Sequence, residues 1–246
     1  MLFRSVAARE AEVAPRIDGL LLKIDFTAGQ LVKEGDLLFE FGTRDKELTQ
    51  ALAKAALEQA EAQLRLSEAK LTNAQTLQRR NVASRTQLLE AQAQRDIAAA
   101  KMKDADANVQ LAELALSQMK LYAPISGIIS RPFIREGAYI TKEARDQSRL
   151  AIIAQLDPIQ VVGQVPAAMY FQRGAFLTSI EQVAEKREFG LVLPTGDKYP
   201  HNGRAVAGSY AFDPATQTIE VTVEFANPDY LLRPGLNVTL SLVPVR

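Results

Sequence analysis

The chain has 246 residues, with 29 Lys and Arg against 29 Asp and Glu, an apolar share of 47%, and neither cysteine nor tryptophan. Zero net charge leaves no field to hold nucleic acid against its counterions, and the lack of cysteine excludes disulfides, thiolate metal sites and a cysteine nucleophile. No apolar run reaches the ~18–20 residues of a membrane-crossing helix, and Met1–Ser5 lacks an apolar core of signal-peptide length, so the chain is either cytosolic or without its targeting segment.

Residues 1–44 read as β-structure. Ile17, Leu20, Leu22, Ile24 and Phe26 stand among Gly, Asp and Lys, Leu37–Phe41 closes the segment, and Gly19, Gly29, Gly35 and Gly42 punctuate it as turns would. Composition then changes abruptly. From Thr43 to Ala123 there is no Gly or Pro, and Ala, Leu, Gln, Glu, Lys and Arg dominate. Leu57, Leu64 and Leu71 recur at heptad spacing, with Ala60, Ser67 and Ala74 between them. On a second arm Leu88, Arg95, Met102, Val109 and Leu116 recur likewise, interleaved with Ala91, Ala98, Ala105, Ala112 and Met119. This predicts an antiparallel coiled-coil hairpin over 45–119, with arms of roughly 50 Å at 1.5 Å per residue. Its tip falls at about 78–85, where Asn81 suits a left-handed turn and Ser84 suits an N-cap. Residues 120–246 return to β-structure: Ile159–Val165, Ile219–Phe225 and Leu236–Leu242 show period-two patterning, with Pro- and Gly-containing breaks between. They predict an antiparallel barrel, with a short helix near Ala167–Arg173.

The two β-segments repeat one another. Gly19 and Gly29 are ten residues apart, as are Gly127 and Gly137, and each pair follows an Ala-Pro dipeptide, Ala14-Pro15 or Ala123-Pro124. The fold class expected is therefore mainly β and elongated. It consists of a split lipoyl-like domain (8–44 and 120–153, with Gly19, Gly29, Gly127 and Gly137 at its turns), the hairpin inserted into it, and a β-barrel over 154–246 joined by residues 1–7.

Catalytic chemistry is hard to assemble. His201 is the only histidine and lies in a turn, Tyr199-Pro200-His201-Asn202-Gly203, where a surface role is expected. Asp104/Asp106 and Glu58/Glu61 are solvated helix charge, and no phosphate-binding glycine loop or nucleophile elbow is present. Asp45-Lys46 imitates the lysine that carries lipoyl or biotinyl groups, but here the lysine opens a long helical insertion instead of a tight hairpin. No cofactor is therefore expected. The tip is the better candidate: Arg79, Arg80, Asn81 and Arg85 surround Leu77, Val82 and Leu88 and suit end-on docking against another helical hairpin.

The chain resembles the periplasmic adaptor proteins, or membrane fusion proteins, of tripartite efflux pumps, most closely the resistance-nodulation-division branch of the AcrA and MexA type. The resemblance rests on 11–19 and 32–38 for the first lipoyl half, 123–129 and 136–138 for the second, and Leu156-Asp157-Pro158-Ile159 at the barrel entry. It rests above all on Asp213–Thr218, Phe225-Ala226-Asn227-Pro228-Asp229 and Leu231-Leu232-Arg233-Pro234-Gly235-Leu236. The resemblance implies a periplasmic adaptor that is not an enzyme, linking an inner-membrane transporter of that branch to a TolC-type outer-membrane channel, with copies packing as a hexamer or trimer of dimers. Anchored on Ser84, the family's tip pattern has its leucines at Leu77 and Leu88 and its alanine at Ala91, and the docking set becomes Leu77, Arg80, Asn81, Val82, Ser84, Arg85, Leu88 and Ala91. Asn73 replaces the pattern's arginine and Leu89 its aspartate; in the barrel, Gln217 replaces a glycine and Thr222 an arginine. Family members add a membrane-proximal domain and an inner-membrane attachment by lipid or helix; neither lies within 1–246, so the chain is expected to be the core of a longer protein. Residues 43–46 and 119–123 are expected to act as hinges. An adaptor of an ABC-type exporter or type I secretion system is the alternative, and a lipoyl or biotinyl carrier a remote one.

Overall fold

The structure, a computed structural model, describes residues 2–16, 18–80, 82–141, 149–168 and 187–244. Ile17 and most of the short helix expected over Ala167–Arg173 lie outside these residues.

Two four-stranded antiparallel sheets face each other, and both draw on each half of the split segment. The first orders β2 (Glu10–Val13), β9 (Ala151–Ala154), β7 (Gly127–Ile129) and β4 (Leu31–Val32). The second orders β6 (Lys120–Tyr122), β5 (Leu37–Phe41), β3 (Gly19–Ile24) and β8 (Tyr139–Ile140). Between them lies one core, with Leu21, Leu38 and Phe39 from the first half and Met119, Ile129, Leu150 and Ile153 from the second, all essentially inaccessible to water. Neither half can bury its apolar face alone.

The repeated glycines mark a local two-fold relation. Gly29 N–H donates to Ile129 O at 2.9 Å while Ile129 N–H donates to Gln30 O at 3.0 Å; Gly137 N–H donates to Leu21 O at 2.8 Å while Leu21 N–H donates to Ala138 O at 2.9 Å. Each half thus inserts its second glycine beside the residue two places after the other half's first glycine. Gly29 and Gly137 have φ of 80° and 84°, the left-handed region that glycine enters without penalty. Gly19 and Gly127 differ from the expectation of turns, because each opens a strand. Gly127 is required by proximity, since a Cβ there would stand 2.3 Å from Ala154 O.

The inserted segment forms α1 (Arg44–Arg79) and α2 (Arg85–Ser117), packed antiparallel. The heptad positions make the seam: Leu57, Ala60, Leu64, Leu71 and Ala74 are half-buried and Ser67 fully buried on α1, facing Ala98, Ala105, Val109 and Ala112 on α2. Small residues along α2 let the axes approach, and the Ser67 hydroxyl is satisfied by Leu64 O at 2.8 Å. At the open end Glu113 receives Gln50 Nε2 at 3.3 Å and Lys54 Nζ at 3.4 Å, which fixes the antiparallel register.

The expected hinge segments lie largely within elements. Residues 44–46 form the first turn of α1, 120–122 are β6, and Met119 is buried in the sheet core. Phe41 N–H donates to Met119 O and Gly42 N–H to Leu20 O, each at 2.9 Å, so the hairpin root is pinned to the second sheet.

The third sheet orders β11 (Arg187–Val192), β14 (Asn237–Pro244), β1 (Leu2–Ala7), β10 (Ile159–Pro166), β13 (Thr218–Phe225) and β12 (Arg204–Gly208). Its two ends meet, because Phe189 N–H donates to Gly203 O at 2.9 Å and Gly203 N–H to Phe189 O at 2.7 Å. Phe3, Ile159, Val161, Leu191, Val223 and Phe225 fill its interior.

Asn227 ties this sheet to the chain arriving from the paired sheets. It is fully buried, its Nδ2 donates to Leu156 O and Leu232 O at 2.9 Å each, and its Oδ1 accepts from Leu232 N–H at 3.0 Å and Tyr199 OH at 3.2 Å. Asp157 Oδ1 in turn accepts Asn227 N–H at 2.8 Å. Buried Ser5 bonds Arg233 O and Leu236 N–H on the same loop. The motif around Asn227 is therefore a structural knot.

Candidate functional site

The tip is built by two helix ends that cap themselves. At the end of α1, Arg80 N–H donates to Thr76 O at 3.3 Å, and Leu77 O accepts Val82 N–H at 2.9 Å and Ala83 N–H at 3.4 Å. The bond from Val82 is the six-to-one closure of a Schellman-type C-cap. Ser84 then starts α2 in extended conformation: its Oγ accepts Gln87 N–H at 3.2 Å, and Gln87 Oε1 accepts Ser84 N–H at 2.9 Å, a complete capping box. The Ser84 and Gln87 backbone donors and the Leu77 carbonyl are thereby satisfied.

The expected docking residues separate into three groups. Leu77 and Val82 are 44% and 71% exposed, and Arg80 and Arg85 are exposed beside them. Ser84 is exposed, but its side chain is spent on the cap. Leu88 and Ala91 are half-buried in the helix seam, whereas Leu89 is 57% exposed. Leu89 is an outward apolar residue that the docking set omitted; the heptad register, with 88 and 91 inside, could have found it. Asn81 lies outside the described residues.

Lys46 sits in the first turn of α1, not in a strand hairpin, and pairs with Asp45 at 2.9 Å; that hydrogen bond holds the Asp45 carboxyl below its ordinary value. His201 packs edge-on against Tyr199, with ring centroids 5.5 Å apart. Among the described residues there is no group of three or more His, Asp or Glu placed to hold a metal, and no helix is long and apolar enough to cross a membrane.

With this geometry established, likeness to known proteins is informative. Residues 9–154 match the barrel-sandwich hybrid domain of RND MFP proteins, where MFP denotes membrane fusion protein. The chain is 34% identical over 96% of its length to the solvent efflux pump periplasmic linker SrpA of Pseudomonas putida, covering 58% of that protein. It is also 34% identical over 97% of its length to the antibiotic efflux pump periplasmic linker ArpA of Pseudomonas putida, covering 61% of it. It thus spans about three fifths of the length of these curated relatives. In fold it is similar to the membrane fusion protein Spr0693 of Streptococcus pneumoniae R6, with a TM-score of 0.73 at 16% identity over 100% of this chain and 99% of that one. The matched domain covers more than half of the chain, both sheets and the whole hairpin: this chain belongs to the RND membrane fusion protein family.

Proposed function

We propose that the chain is the core of a non-enzymatic periplasmic adaptor of a tripartite efflux pump, joining an inner-membrane RND transporter to a TolC-type outer-membrane channel. In this reading residues 8–44 and 120–153 form the lipoyl-like unit, 45–119 the coiled-coil hairpin, and 154–246 with 1–7 the β-barrel. Copies pack side by side through their lipoyl-like units, the tip meets the channel, and the barrel faces the transporter. The full-length protein is held to the inner membrane by segments beyond the chain's ends. The observation that carries the proposal is the split: both sheets need strands from each half, and the insertion places a self-capped, apolar and cationic tip on arms of roughly 50 Å. A single solute-sized catalytic cleft would need no such arm.

Crosslinking tests it. The chain has no cysteine, and Val82 is exposed without a side-chain role in the turn. Val82→Cys in the full-length protein, in cells of the source organism expressing the complete pump, is expected to crosslink to an outer-membrane channel. An uncrosslinked adaptor in cells that still extrude drug or solvent would refute tip docking.

A further inference from the structure

We propose that four polar residues on the outer edges of the hairpin choose how copies meet: Gln59 and Asn73 on α1 of one copy face Asp104 and Glu90 on α2 of the next. This rests on the side-by-side packing of the adaptor reading. It adds which edges of the hairpin meet and which side chains select them.

The edges carry a second coiled-coil pattern. With Leu57 and Leu88 as position a of each arm's heptads, the inner seam uses positions a and d, and c and f point away from the other helix. In a hairpin with no neighbour those outer positions would be polar. Here Leu48, Leu52 and Leu66 on α1 and Leu114, Leu111 and Ile97 on α2 stand at c or f, and they are 49–74% exposed. Toward the tip the f positions continue as Ala55, Ala62 and Ala69 on α1 and as Ala107, Ala100 and Ala93 on α2, all exposed. Glu113, held by both Gln50 and Lys54, sets the register of the arms. In that register the like residues of the two edges stand at the same height to within about a helical turn. A lipid or glycan surface has no use for two leucine-and-alanine edges matched in this way, whereas a second copy of the hairpin does.

The polar residues decide which edge meets which. Beyond the root the polar c positions divide by arm: amides on α1, Gln59 and Asn73, and carboxylates on α2, Asp104 and Glu90, at matching heights. All four are exposed, and among the described residues none makes a hydrogen bond or ion pair. An α1–α2 contact between copies sets an amide donor against each carboxylate. An α2–α2 contact would set Asp104 and Glu90 against their own copies, carboxylate on carboxylate. An α1–α1 contact would leave the α2 leucines in water. Only the head-to-tail pairing covers both edges, and being heterologous it repeats from copy to copy.

Charge agrees with the curvature this requires. At 3.5 residues per turn the inner and outer seams are roughly 155° apart measured through position g, so g faces the concave side of the wall. No g position on either helix is a carboxylate, whereas Glu58, Glu61, Arg65, Asp96, Asp106 and Glu113 sit at b or e, on the convex side open to solvent.

The test uses the full-length protein in cells carrying the complete pump. In Gln59→Cys/Asp104→Cys the thiols lie on opposite edges of one hairpin with both helices between them. Diamide, which is reduced as it oxidises two thiols to a disulfide, can then join only separate copies. A ladder of linked species beyond the dimer is expected, with Gln59→Cys or Asp104→Cys alone staying monomeric. Dimers from either single variant, with no ladder from the double one, would overturn the head-to-tail pairing. In a second arm, the ladder from Ala62→Cys/Ala100→Cys should form on the order of tenfold more slowly when Gln59→Glu/Asn73→Asp sets like charges together. Adding Asp104→Gln/Glu90→Gln should restore it. The four positions are exposed in the single chain, so its folding is little affected. Equal rates in all three backgrounds would overturn the selection by these residues. If a lysine-directed crosslinker still traps multimers and efflux persists, but neither cysteine pair links copies, the edge pairing is wrong and the adaptor reading stands. Loss of multimers altogether, in cells whose efflux does not depend on the protein, removes the adaptor reading itself.

Discussion

Alanine at the four repeated glycines separates what symmetry requires from what packing requires. At Gly29 and Gly137 an added Cβ meets nothing within 4 Å, so the cost is purely that of holding alanine at φ of 80° or 84°, about 1–2 kcal/mol each. The two variants should therefore be nearly equal. At Gly127 the Cβ would lie 2.3 Å from Ala154 O and 2.7 Å from Ala154 C, both backbone of the neighbouring strand, and β7 cannot keep its register with β9. That overpacking should cost roughly 3 kcal/mol or more. At Gly19 the nearest atom is Cδ1 of the buried Phe41 ring at 3.3 Å, which must give by a few tenths of an ångström, and the entropy saved in the unfolded chain offsets part of that crowding, leaving a loss below about 1 kcal/mol. Native-state hydrogen exchange at the amides of β3 and β7 reads these differences within the paired sheets, undiluted by the helices. The expected order of destabilisation is Gly127, then Gly29 and Gly137 together, then Gly19. A gap above about 1 kcal/mol between Gly29→Ala and Gly137→Ala would refute the reasoning that a shared φ cost alone sets both losses.

Asn227→Ala strands the Leu156 and Leu232 carbonyls and the Leu232 N–H inside the protein, and a loss of roughly 3–5 kcal/mol is expected in urea unfolding; a loss below about 1 kcal/mol would contradict the knot. Ser84→Ala removes the cap acceptor and should cost about 1 kcal/mol, seen as faster exchange in the first turn of α2, with Ser84→Asp restoring protection. Asp213 accepts Thr216 N–H at 3.1 Å and Ala215 N–H at 2.8 Å, and these bonds, that from Thr216 foremost, hold its carboxyl below the ordinary aspartate value. A depressed folded pKa contributes stability above the unfolded value and loses it as pH falls through the folded one. Asp213→Asn should therefore be less stable than wild type at neutral pH and converge with it in acid; a gap constant across that range would contradict the assignment.

Much of this was legible in the sequence because two periodicities are strict. The heptads at Leu57, Leu64 and Leu71 and at Leu88–Leu116 face inward as their spacing requires, and helix 1 ends at Arg79 within the tip read from Asn81 and Ser84. Period-two patterning located Ile159–Pro166 and Thr218–Phe225 to within a residue. Positions set by approach in three dimensions were less legible. Gly127 looks like a turn glycine in sequence, but its constraint is a carbonyl on a strand more than twenty residues away. In sequence Gln217 reads only as a departure from a glycine, and its φ of 52° places it in the left-handed region that glycine favours. Residues 43–46 and 119–123 read as linker in sequence because they are short and flank a helix, whereas Met119 is buried in a core assembled from both halves.

The pinned root and the cationic tip bear on the same problem. Both helices grow from adjacent paired strands, with Leu37 opposite Tyr122 and Glu40 opposite Lys120, so whatever angle that root takes is magnified along the arms. For arms of roughly 50 Å, an angular play of about 10° sweeps the tip through roughly 9 Å. Apolar contacts act over far shorter distances and cannot recover a tip displaced by that much. Charge reaches further, because attraction persists over about one screening length, roughly 8 Å at physiological ionic strength, which is comparable to that sweep. Arginines without an ion-pair partner among the described residues would draw the tip across its own range of motion, after which Leu77, Val82 and Leu89 can seat. If that division of labour is correct, tip-charge reversal should reduce the rate of capture and leave the lifetime of the captured state largely unchanged, while Leu77→Ser should shorten the lifetime and spare the rate. Equal effects on both quantities from either substitution would show that charge and apolar contact act as a single undivided interface.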